Sequence, residues 1–91
     1  MSDAWIVELT GPARRALQRD LPEAVACAAY TFITERLPTN PHRLGGELAG
    51  PYEGCRSARL GTYRVVYRVD DDRRTIYVLS IRLRGDVYGV R

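Results

Sequence analysis

At 91 residues the chain has room for one domain, residues 1–91, with a modest core, and no apolar run approaches the ~20 residues of a membrane span. Its 14 basic residues are all arginine, which excludes lysine Schiff-base and general-base chemistry and supplies planar forks that match phosphate oxygens. One histidine, His42, and two distant cysteines, Cys27 and Cys55, make neither a metal site nor a histidine triad, so no metal and no cofactor are expected. Two free thiols, and a Met1–Trp5 start without a basic, apolar leader, point to a cytosolic chain.

Trp5–Leu9 is short and β-rich and predicts a first strand. Thr10-Gly11-Pro12 predicts a helix start, with Thr10 as the cap and proline in the first turn, and the helix runs to about Arg19. Asp20 with Glu23 three residues on predicts a second capped start. Val25, Ala29, Phe32, Ile33 and Leu37 recur at helical spacing and form a core stripe that Pro38 ends. Asn40–Gly50 is rich in proline and glycine and predicts a surface loop.

From Tyr52 onward the pattern is that of strands. Gly61-Thr62 suits a two-residue hairpin, and Asp70–Arg73 is a polar turn between Tyr63–Val69 and Thr75–Leu83. The order β-α-α-β-β-β predicts an α+β fold: a small antiparallel or mixed curved sheet of about four strands, with two N-terminal helices packed on one face.

Charge is uneven along the chain. Residues 1–50 hold five arginines and six acids, whereas residues 51–91 hold nine arginines and five acids. Period-two alternation sorts the strands. Tyr63, Val65, Tyr67 and Val69 are expected on the helix side with Thr75, Tyr77, Leu79, Ile81 and Leu83. The opposite face then collects Arg64, Val66 and Arg68 with Ile76, Val78, Ser80, Arg82 and Arg84. The hairpin pairs Arg59 with Arg64, behind which lie Ser57 and Cys55. Three guanidinium groups, Arg59, Arg64 and Arg82, are thus expected at one end of a half-open sheet. Opposed like charges are unfavourable unless an anion meets them, and a nearby Tyr88 adds a surface on which a single-stranded base stacks.

Arg59-Leu60-Gly61-Thr62-Tyr63-Arg64-Val65-Val66-Tyr67, Asp86-Val87-Tyr88, and Asn40–Leu44 followed by Leu48-Ala49-Gly50 together resemble the RelE family of bacterial toxin endoribonucleases, within the RelE/ParE superfamily. The resemblance covers nearly the whole chain. It implies a toxin of a type II toxin–antitoxin pair that cleaves messenger RNA, for most relatives in the ribosomal A site. It implies Arg64, Arg82 and Tyr88 as catalytic residues; Arg59, Arg56, Arg84 and Arg43 are the expected RNA contacts, although alternation places only Arg59, and not Arg56, on the face of Arg64. A cognate antitoxin, messenger RNA and the ribosome are the implied partners, with the antitoxin wrapping the helices and a sheet edge in a hetero-oligomer. The sequence departs from some relatives at Cys55 and Ser57, where they carry lysine, and at Leu83, where they carry histidine. Two alternatives remain open: a ParE-like inhibitor of DNA gyrase, and a non-catalytic module binding RNA or antitoxin.

Overall fold

The computed structural model of the protein describes residues 5–39, 41–42, 46–47 and 54–83. The apolar, β-branched stretch Ile6–Leu9 forms β1. Thr10 closes it and opens α1 (Gly11–Arg15): its hydroxyl accepts from the Ala13 amide at 3.5 Å, and Pro12 fills the first turn, where no amide is missed. The helix runs on as a π-helical turn, Ala16–Asp20, which the Leu21 amide closes on the Ala16 carbonyl at 3.0 Å. Next comes α2 (Glu23–Thr31), continued by π-helical Phe32–Arg36 and a 3-10 turn, Leu37–Thr39, that contains Pro38. Asp20 is not the cap of α2. Pro22 holds that position without a side-chain bond, because Asp20 is still the last residue of the preceding π-helical turn.

The sheet has the order β1-β5-β4-β3-β2, where β2 is Gly46–Glu47, β3 Cys55–Leu60, β4 Tyr63–Asp70 and β5 Thr75–Leu83. β3, β4 and β5 form an antiparallel meander. β1 joins β5 in parallel, from Ile6 opposite Thr75 to Leu9 opposite Val78, so the sheet is mixed. The two-residue β2 pairs with Arg56 and Ser57 of β3 and lies within the stretch expected to be loop. Two residues are too few to carry an alternation signal, and only the tertiary partner makes them a strand.

The core lies between the helices and one face of the sheet. Ala13, Ala16, Ala29, Phe32, Ile33 and Leu37 meet Ala58, Val65, Tyr67, Ile76, Val78 and Ile81. The helical stripe read from the sequence is therefore the buried one, with Val25 at its edge.

One strand departs from the expected faces. Ile76 and Val78 belong to the core, each 0% exposed, whereas they were expected on the helix-free side. Asp70 lies opposite Thr75, Val69 opposite Ile76 and Tyr67 opposite Val78, but Val66 lies opposite Ser80. Leu79 is left without a partner on β4, which makes a β-bulge. A single inserted residue exchanges the faces of everything beyond it. Before the bulge, even-numbered residues of β5 face the helices; after it, Ile81 does. Thr75 and Tyr77 consequently share the helix-free face with Arg68 and Asp70.

Thr10 is fastened to this irregularity. Its amide donates to the Val78 carbonyl at 3.1 Å, and its hydroxyl lies 2.9 Å from the carbonyl oxygens of both Val78 and Leu79. Carbonyls that a bulge takes out of regular pairing need other donors, and the helix-capping threonine supplies one.

A candidate phosphate-binding face

The helix-free face is built by two local devices. The first is the hairpin Gly61-Thr62. Gly61 has φ +63°, a left-handed conformation that glycine adopts without a Cβ penalty, and the two-residue loop sets Leu60 opposite Tyr63 and Arg59 opposite Arg64. The second is the bulge. With the register of the Asp71–Arg74 turn continued unbroken, Arg64 would face Ile81 and Arg82 would point toward the helices. The extra residue Leu79 moves the pairing on by one, so Arg64 lies directly opposite Arg82.

Arg59, Arg64 and Arg82 therefore form a row across β3, β4 and β5. Arg64 is half-buried, and its Nη1 donates to Ser57 Oγ at 3.3 Å. That bond lays the guanidinium along the sheet, over a floor of buried Val66 and Ser57. Arg59 and Arg82 are exposed, and neither meets a carboxylate among the described residues. Guanidinium groups brought together on one face, one of them donating to a neutral hydroxyl, are a candidate site for an anion, whose oxygens such planar forks can meet two at a time.

Arg56 does not join them. It sits opposite Tyr67 on the helix side, and its Nη2 donates to the His42 carbonyl at 2.7 Å. Tyr67, itself buried, donates its hydroxyl to the Pro41 carbonyl at 2.9 Å. Arg56 and Tyr67 together hold Pro41 and His42 against the sheet. Burial pushes the Tyr67 hydroxyl pKa upward, opposed by the hydrogen bond and positive charge of Arg56. Tyr67 is a structural donor and not a base. Beside it, His42 Nε2 lies 2.7 Å from Asp71 Oδ1, with the Trp5 ring edge-on at 5.7 Å and Arg74 over that ring at 4.6 Å.

The remaining sequence-derived candidates, Tyr88, Arg84 and Arg43, lie outside the described residues. Two residues that the sequence reading did not nominate do reach the face: Arg68, an alternation step beyond Val66, and Tyr77, its cross-strand partner. Arg68 was legible as an outward residue. Tyr77 was not, because nothing local in the sequence marks Leu79 as the bulge. Among the described residues no group of three or more His, Cys, Asp or Glu is arranged to hold a metal ion.

Comparison with known proteins gives a consistent picture. Residues 7–88 match the family model described as ParE toxin of type II toxin-antitoxin system, parDE. The chain is 45% identical over 90 residues to Toxin RelE of Mycobacterium tuberculosis, covering 97% of this chain and 92% of that protein. Among solved structures it superposes on a chain of the toxin–antitoxin complex RelBE2 from Mycobacterium tuberculosis with a TM-score of 0.82 at 37% identity, covering 89% of this chain and 99% of the other. The isolated RelE toxin of E. coli gives a TM-score of 0.72 at 25% identity, covering 94% and 93% of the two chains.

Proposed function

Because the chain belongs to the RelE/ParE superfamily of type II toxin–antitoxin toxins, we propose that it is a RelE-type endoribonuclease that arrests translation by cutting messenger RNA, and that its arginine row grips the scissile phosphate. The observation that carries this reading is the direct opposition of Arg64 with both Arg59 and Arg82 on the helix-free face. Like charges on neighbouring strands repel, and a phosphodiester lying across the row offsets that repulsion.

The reaction we propose needs no nucleophile from the protein. The ribose 2′-oxygen attacks the adjacent phosphorus, the bond to the 5′-oxygen of the next nucleotide breaks, and a 2′,3′-cyclic phosphate and a 5′-hydroxyl result. The 2′-hydroxyl loses its proton and the 5′-oxygen gains one. Arg64, fixed by Ser57, takes the central position on the non-bridging oxygens, where negative charge grows most in the transition state. Arg82 and Arg59 flank it and hold the strand in line. Tyr88 is assigned the stacking of a base and a part in activating the 2′-hydroxyl, with Arg84 and Arg43 as further RNA contacts.

A cognate antitoxin is the proposed partner and the cytosol the proposed location. β1 covers β5 only as far as Val78. No described strand pairs with the outer edge of Leu79–Leu83, and beside that edge runs a groove of about 340 Å³ whose lining includes Pro12, Arg15, Asp20, Leu21 and Tyr63. An extended antitoxin segment adding to this edge satisfies its backbone groups and lies next to Arg82.

The test is Arg64→Ala in a translating extract, with cleavage read by primer extension. Loss of one transition-state donor is expected to slow cutting by roughly 10²–10³-fold. Undiminished cutting overturns the assignment. Growth arrest by the wild type with a DNA-damage response and intact messenger RNA supports the ParE-like gyrase reading instead.

A further inference from the structure

The row of arginines is not the end of the helix-free face. Along β4 from Arg64, two alternation steps lead over Val66 to Arg68, about 13 Å away at the usual rise of an extended strand. There the face opens into the cavity of about 740 Å³ lined by Thr10, Arg68, Tyr77, Leu79 and the Asp70–Asp72 rim. We propose that this cavity is a second nucleotide subsite, in which Tyr77 and Leu79 receive a base next to the cleavage site while Arg68 contacts its phosphate. The proposal rests on the RNA-binding reading above and extends it to residues that neither the family resemblance nor the comparisons assign.

Three observations support it. Tyr77 and Arg68 are direct cross-strand partners, so a ring and a guanidinium stand side by side on the surface that carries the phosphate-binding row. Base stacking on aromatic rings, paired with a cation for the backbone, is the general means of holding single strands. The bulge sets Tyr77 on the same face as Arg82, and neither Tyr77 nor Leu79 belongs to the hydrophobic core. Among the described residues, this partly exposed apolar and aromatic floor beside an exposed arginine has no part in the core. Arg68 itself makes no hydrogen bond or ion pair among the described residues.

The acidic rim does not oppose an incoming strand with its full charge. Asp70 accepts from the Arg73 amide at 3.2 Å and lies 4.0 Å from its Nε, and Asp71 is engaged by His42. Asp72 alone has no such bond among the described residues. A carboxylate is acceptor-only, so at the rim it favours a base edge presenting adjacent N–H donors. Guanine offers two and uracil, with its flanking carbonyls, is disfavoured.

The experiment uses fluorescein-labelled 2′-O-methyl oligonucleotides, which lack the attacking hydroxyl, and reads binding to the full chain by anisotropy. Tyr77→Leu and Arg68→Gln are each expected to weaken hexanucleotide binding by about tenfold. Tyr77→Phe, which keeps the ring, is expected to stay within about twofold. All three variants are expected to bind a dinucleotide as the wild type does, because it occupies the arginine row alone. Asp72→Asn is expected to erase a preference for guanine over uracil in the hexanucleotide. Melting curves check Tyr77→Leu for folding, and the exposed Arg68→Gln keeps the test decisive if that variant unfolds. Hexanucleotide affinities equal to wild type in a folded Tyr77→Leu and in Arg68→Gln overturn the subsite while leaving the nuclease reading intact. Hexanucleotide binding that depends on Tyr77 and Arg68, in a wild type that cuts no messenger RNA, overturns the nuclease reading and keeps the subsite. A wild type that binds neither oligonucleotide overturns both.

Discussion

Under the proposed RNA reading, Arg82 and Arg59 serve the site at the expense of the free protein. Each stands opposite Arg64, and like charges across a strand pair cost on the order of 0.2–1 kcal/mol, the low end applying where solvent screens exposed groups. Arg82→Gln is therefore expected to raise the melting temperature by up to a few degrees at low salt, while reducing RNA cleavage. A calorimetric scan in molar salt, where the repulsion is screened, should show the gain vanish. Tyr67 makes the opposite kind of contribution. Its folded-state pKa is raised above the ordinary 10.0 mainly by burial, so the folded chain holds this proton more tightly than the unfolded chain. The linkage is silent below about pH 10 and removes stability as pH rises from there through the folded value. Denaturant titrations should show wild-type stability falling above that pH. Tyr67→Phe should lack this component of the fall while starting lower, by about 1–2 kcal/mol, because the Pro41 carbonyl loses its buried donor.

Among elements, the decisive one is the pairing of β4 with β5. The turn at Asp71–Arg74 and the helix-facing residues Tyr67, Val69, Ile76 and Val78 fix one register; Arg64, Val66, Ser80 and Arg82 require another. Leu79 reconciles them. Deleting Leu79 is expected to turn Arg82 toward the helices or to unfold the strand end, and in either case to abolish RNA cleavage. Leu79→Ala keeps the backbone count and with it the opposition of Arg64 and Arg82, and is expected to lose far less cleavage than the deletion. The same element depends on Thr10, whose hydroxyl both caps α1 and approaches the two bulge carbonyls. Thr10→Val keeps the shape and removes these bonds. It is expected to cost about 1–2 kcal/mol in a urea titration, and to slow cleavage more than a core substitution of equal cost placed in α2, such as Ala29→Gly. Equal slowing by the two would refute a positioning role for Thr10.

At the scale of the whole molecule, four arginines of residues 51–91, Arg59, Arg64, Arg68 and Arg82, lie on the sheet face away from the described helices. Binding of a single strand by three arginines releases counterions, so the logarithm of affinity should fall with the logarithm of salt at a slope near −2, and Arg82→Gln should reduce that slope by about 0.7. A titration series across salt concentrations measures both. A small core leaves modest stability in reserve, and an antitoxin bound across the open β5 edge would add to it by mass action.

The sequence by itself determined the two helical stretches, the strands β1, β3, β4 and β5, the helical core stripe and the arginine pairing through Gly61-Thr62, because those signals are local: a cap, a period, a two-residue turn. It also indicated through alternation that Arg64 and Arg68 leave the core. What only the tertiary structure decided was how β5 meets β4. The expected faces carried Ile76 and Val78 outward and Tyr77 inward, and Arg82 came out beside Arg64 only because a uniform register was assumed. In the folded chain, Arg82 arrives there by way of the bulge, and Arg56, which alternation already placed off that face, finds its partner in the distant His42 carbonyl. A bulge has no composition of its own. It arises where two registers imposed from distant parts of the chain, here the Asp71–Arg74 turn and the packing against α1 and α2, meet within one strand.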